Sequence, residues 1–292
     1  MSSPPSTPHG APLESIMIAA FEGWNDAGNG ASHALDHLAG VWNAQEYGTL
    51  DPEEYHDFQV SRPTLSRLPG GERVVSWPGT VVSTCAAAST PDRRISLVRG
   101  IEPSMRWRQF CGEILDYAED LEVTTLITCG ALLVDVPHTR PLPTFVSSED
   151  ANARRLYGIE SADYEGPTGI VGVLGHEAEL RGIAVLSMWV GVPHYVAHPP
   201  NPKATLALLN QLERFVGVPV ELGDLVDDAD AWQRGADELA EEDEEIAAHV
   251  EHLESLMDEA SLPEASGDAI AAEFEQFLRR REGGTGKAQP SA

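Results

Sequence analysis

Residues 15–21, Ser-Ile-Met-Ile-Ala-Ala-Phe, form an apolar run of strand length, and residues 31–38 are rich in helix formers, with Leu35 and Leu38 three apart. Between them, Gly23 can take a backbone conformation closed to other residues, and Asn25 or Asp26 can cap the first free amides of the helix. The opening therefore reads strand, sharp turn, helix, as at the start of a parallel α/β sheet. A second strand is predicted over 45–48, and 55–68 is polar and irregular. The runs 73–77 and 80–84 are β-rich around Pro78-Gly79 and predict a hairpin. A strand over 95–98 follows. Ser104 then reads as the cap of a helix over 105–121, whose stripe is Trp107, Phe110, Ile114, Leu115 and Ala118.

The alternation continues with a buried strand over 123–129 and a short helix from Ser148 to Leu156. A helix over 170–180 and a buried strand over 183–189 come next, and Asn201-Pro202 opens a helix over 203–215. Strand and helix recur at the interval expected of a wound α/β sheet. Beyond Val220 the pattern changes. Leu225, Ala229, Trp232, Ala236, Leu239, Asp243, Ile246, Val250, Leu253 and Met257 step by alternating fours and threes, the heptad seam of a long helix with a carboxylate at Asp243. A second helix from Gly267-Asp268, with Phe274, Phe277 and Leu278, is expected to pair with it as a hairpin leaning on the core. The expected organisation is a disordered tail over 1–13, a core over 14–222, a helical extension over 223–282 and a flexible tail over 283–292.

Composition sharpens this picture at two points. The chain of 292 residues has a net charge of −28, and residues 221–282 carry 21 acidic against 4 basic side chains. Nucleic acid and anionic membranes demand a basic surface, so neither is expected as a partner. The 42% hydrophobic content allows a proper core. No apolar run reaches spanning length, and the Pro/Ser-rich start lacks the features of a signal peptide. Cys85, Cys111 and Cys129 lie in apolar surroundings with no metal-type spacing, so they read as reduced core residues of a cytoplasmic protein.

Chemistry-bearing residues gather in three loops: Glu22 to Asp26, Asp135 to Arg140, and His194 to His198. All three can meet at one edge of the sheet, where strand ends make crevices. A functional reading makes Glu22 or Asp26 an acid or base, His138 or His194 its partner, and Arg140 an anion anchor. A metal would need three or four of His138, His194, His198, Glu22 and Asp135 to converge, and no pair of these has a diagnostic interval. The bland reading is that such loop residues cap helices and bond turn amides. Gly23 and Gly28 have phosphate-loop spacing, but Asn29 and Gly30 stand where the lysine and hydroxyl belong. No cofactor is expected. The acid run Glu241 to Glu245 reads as a solvated helix face.

Five motifs in order, Phe21-Glu22-Gly23-Trp24-Asn25-Asp26-Ala27-Gly28, Glu102-Pro103, Asp135-Val136-Pro137-His138-Thr139-Arg140-Pro141, Tyr164-Glu165-Gly166-Pro167-Thr168-Gly169 and Pro193-His194-Tyr195, together resemble the proteasome assembly chaperone 2-like family in its actinobacterial branch. The resemblance spans about residues 15–260. It implies a three-layer α/β/α core similar to purine nucleoside phosphorylases, a C-terminal helical extension, and homo-oligomers, trimers among them. It also implies a non-enzymatic assembly chaperone or scaffold with protein partners. Some relatives dock through a hydrophobic-Tyr-x tail, and Ala288-Gln289-Pro290-Ser291-Ala292 departs from that pattern. The alternative is an enzyme acting on a small anionic or nucleoside-like substrate at the loop cluster around Glu22, His138 and His194.

Overall fold

The structure, a computed structural model, describes residues 15–88, 93–162 and 164–261. The tails expected over 1–13 and 283–292 and the helix expected from Gly267 lie outside the described residues. Strand β1 (Ser15–Glu22) leads through a turn into α1 (Gly30–Val41), then β2 (Gln45–Leu50), α2 (Pro52–Tyr55), β3 (Thr64–Arg67), β4 (Arg73–Ser76), β5 (Thr80–Thr84) and β6 (Arg94–Ile101). Helix α3 (Trp107–Asp120), β7 (Thr125–Val134), β8 (Thr144–Ser147), α4 (Ala151–Tyr157), α5 (Ile170–Leu180), β9 (Ala184–Pro193) and α6 (Pro202–Val216) complete the body. Helices α7 (Leu225–Glu242) and α8 (Glu244–Ser261) follow.

A seven-stranded mixed sheet runs β2-β5-β6-β1-β7-β9-β8. The central strands β6, β1, β7 and β9 are parallel, and the outer pairings are antiparallel. The continuous apolar run of β1 follows from this position, because a central parallel strand is covered on both faces. Ile16, Ile18 and Ala20 join one core with Leu35 and Leu38 of α1 and Leu208 and Leu212 of α6. Met17, Ala19 and Phe21 join the other with Phe110 and Ile114 of α3 and Leu174 of α5. The period of two sends alternate residues into two cores, so helices cover both faces in an α/β/α arrangement.

Three local expectations are corrected. The hairpin around Pro78-Gly79 does not form: β4 pairs with β3, and β5 pairs with β2 and β6. Val82 of β5 is fully buried, so sheet pairing and core burial outweigh the local turn signal. Ser104 does not cap α3; its Oγ accepts from the Asp57 amide, and the helix starts after Arg106 in a left-handed conformation. The long seam helix is two helices. Asp243 leaves helical geometry at φ −126°, and its Oδ1 accepts from the amides of Glu245 and Ile246. An aspartate caps a helix start better than it fills an apolar seam, so the chain breaks there and α8 folds against α7.

Candidate functional site

The β7–β9 register runs to Val134 opposite Pro193, so the chain leaves the two strands side by side. Asp135 and His194 are the next residues, and Nδ1 of His194 lies 3.1 Å from Oδ1 of Asp135. The two loops thus meet as the sequence suggests, at the carboxyl ends of parallel strands. His138, three residues on, is buried. Its amide donates to the Tyr195 hydroxyl at 2.7 Å, and its Nδ1 lies 2.8 Å from the same oxygen. Its Nε2 lies 2.9 Å from Oδ1 of Asp237, on α7. The phenol has one hydrogen to give, so the network is satisfied when Tyr195 donates to Nδ1 and Nε2–H donates to Asp237.

This chain of carboxylate, imidazole and hydroxyl has the order of an acyl-transfer triad, but its electrostatics do not serve one. Burial raises the Tyr195 pKa, and the phenol oxygen is already taken by the His138 amide. A nucleophile needs the opposite: a lowered pKa or a free oxygen. The contacts serve docking instead. The Lys203 ammonium, on α6, donates to the His138 carbonyl and to Gln233 Oε1 of α7. Thr139 donates to Glu254, and Arg140 reaches Glu254 at 3.2 Å and Asp258 at 3.1 Å on α8. The loop after β7 and helix α6 supply the two cations and the hydroxyl, and the extension supplies Gln233, Glu254 and Asp258 as partners. Beside these contacts lies a surface groove of about 510 Å³, lined in part by Arg140, Lys203, Leu206, Asn210, Arg214 and Gln233.

The Glu22–Asp26 loop lies along β7, where the Asn25 carbonyl accepts from the Ala131 amide at 2.7 Å, but its carboxylates take no part in the His138 network. Asp26 is buried, and its Oδ1 accepts from the amides of Ala31 at 2.8 Å and Ser32 at 3.2 Å, so it caps α1 as one of the two expected candidates. Its Oδ2 has no partner, and burial raises its pKa despite the amide bonds. Glu22 ends β1 exposed, with its carbonyl accepting from the Glu102 amide. Among the described residues neither carboxylate bonds to His138, Arg140 or His194. Asn25 Nδ2 donates to Glu102 Oε1, which also accepts from the Ile170 amide at the start of α5. His198 is exposed. The partners that sequence reasoning passed over are Asp237, Glu254 and Asp258, because acids on a strongly acidic helix carry no interval that marks the ones that bond. Arg140, opposite in sign to the extension, is a signal that points to such a contact.

The fold and these contacts define an α/β/α protein whose acidic helical extension is latched over the strand ends. The PAC2 family model matches residues 20–240, and the chain belongs to the PAC2 family. It is 48% identical to a PAC2 family protein from Streptomyces avermitilis, with a TM-score of 0.74 over 81% of this chain and 99% of that one. It is 45% identical to a proteasome-assembly chaperone homologue from Mycobacterium tuberculosis, with a TM-score of 0.71 over 80% and 99% of the two chains. An archaeal proteasome activator from Pyrococcus furiosus, 16% identical with a TM-score of 0.63 over 79% and 95%, shares the fold. No curated protein matches the chain.

Proposed function

We propose that this protein is a non-enzymatic assembly chaperone or scaffold of the cytoplasm, in the actinobacterial branch of its family, that binds protein partners and self-associates, with a trimer as the expected state. One observation carries the reading: His138 and Arg140, which sequence reasoning offers for chemistry, are bonded to the extension, and Asp26 is bonded to its own helix. Side chains spent on holding an extension support a binding scaffold more than a catalyst. The Mycobacterium tuberculosis relative is described as a proteasome-assembly chaperone homologue, which makes proteasome subunits the first partners to try. The charge of −28 and the absence, among the described residues, of a helix long and apolar enough to cross a membrane accord with protein partners.

The test mixes the purified chain with unassembled proteasome subunits and follows mass by light scattering. A parallel thermal-shift series contains nucleosides, nucleotides and phosphate. The expected result is association with the subunits and no shift from the small molecules. A large shift with a nucleoside or phosphate, together with no association, would replace this reading with an enzyme of small anionic or nucleoside-like substrates.

A further inference from the structure

His249 of α8 stands over the pair that ends β7 and β9. Its ring meets that of His194 edge-on at 5.2 Å between centroids, and that of Tyr195 at 5.6 Å. One ligand atom each from Asp135, His194 and His249 lies within 4.8 Å of the others. The His249 Nε2 is sealed from solvent and has no hydrogen-bond partner. A sealed imidazole nitrogen without a partner beside a second imidazole and a carboxylate is poorly explained by ring packing alone.

We propose that Asp135, His194 and His249 bind one divalent transition ion of the zinc class, which ties α8 to the ends of β7 and β9. Two imidazoles and one carboxylate are a donor set that suits zinc, and three protein ligands leave a fourth position for water. Bonds of about 2.0–2.2 Å at tetrahedral angles place ligand atoms roughly 3.4 Å apart. Closing from a spread of up to 4.8 Å needs ligand-atom shifts of up to about 1.4 Å, which side-chain rotation of the exposed Asp135 and His194 permits. The strongly acidic chain raises the local concentration of any cation.

The pairing was not legible in the sequence, since His249 lies in a helix with no metal-type interval to Asp135 or His194. The test titrates zinc, and separately cobalt(II), into chelator-stripped full-length chain, reading calorimetry and visible absorption. One ion per chain is expected, with the intense visible bands of tetrahedral cobalt(II) and slower amide exchange in α8 on zinc addition. His249→Ala is expected to weaken binding at least as much as the roughly 10–100-fold caused by losing an outer-shell partner. Because that variant also alters the packing of α8, Asp135→Asn provides the second arm: Asp135 is exposed and its side-chain contact is with the exposed His194, so the fold is retained while affinity falls. His252→Ala, exposed on the same helix, should bind as the parent does. Absence of stoichiometric binding, or binding that survives both His249→Ala and Asp135→Asn, would overturn the site.

Discussion

The Nε2 of His138 and Oδ1 of Asp237 lie 2.9 Å apart across 99 residues of chain, and they join a buried core loop to the acidic extension. Asp237→Ala removes the acceptor from a His138 side chain that is 1% exposed in the parent. A buried donor left without a partner costs about 1–3 kcal/mol. The variant should lose a few degrees in Tm and show faster amide exchange in α7, with the sheet unaffected. Exchange in α7 equal to that of the parent would mean that the bond contributes nothing to docking.

Asp26 predicts a pH dependence. Burial raises its folded-state pKa above the unfolded value. In the window between the two, the folded chain binds more protons than the unfolded chain, so stability falls as pH rises through it. Above the folded-state pKa the penalty is complete. Asp26→Asn keeps the Oδ1 acceptor for Ala31 and Ser32 and removes the titration. The variant should therefore match or exceed the parent Tm at pH 7, with a flatter slope across the acidic window. A lower Tm at pH 7 with an unchanged slope would show that the carboxylate charge favours folding here.

Gly23 sits at φ +127°, and a Cβ added there would meet the Glu102 Cβ at 3.1 Å. Both the conformation and the space oppose a branched side chain. Gly23→Val should cost on the order of 1–3 kcal/mol, the scale of such backbone strain, measurable by urea unfolding. Gly28, at φ +61° with Asn201 Cβ 2.8 Å from its virtual Cβ, should respond similarly to alanine. An unchanged urea midpoint in either variant would show that the turn relaxes around the new side chain.

What the sequence makes legible follows range of interaction. The central strands and the helices over them carry their burial in local periodicity, so β1, α3, α5 and α6 are readable within a few residues. Strand β8 is four residues long with Phe145 half exposed, and it offers no apolar run to detect. The β4–β5 hairpin fails because β5 finds its partners in β2 and β6, choices made by the whole sheet. The loops after β7 and β9 meet because strand ends in a parallel sheet emerge together. Which acid of the extension meets His138 depends on how α7 crosses α6, and no interval in the chain encodes that crossing.

The seam of the extension gives the last prediction. As one continuous helix, Leu239 and Leu253 would lie on the same apolar stripe and contribute alike. The break at Asp243 separates them: Leu253 of α8 is 4% exposed, while Leu239 of α7 is 41% exposed. Truncating a buried leucine costs about 2–5 kcal/mol through lost transfer energy and the cavity left behind. A surface change away from special contacts stays within about 0.5 kcal/mol. Leu253→Ala should therefore release α8 from the core, seen as loss of exchange protection over 244–261 and early proteolysis there. Leu239→Ala should leave both unchanged. Equal effects of the two substitutions would restore the continuous seam and remove the break at Asp243 as the organising feature of the extension.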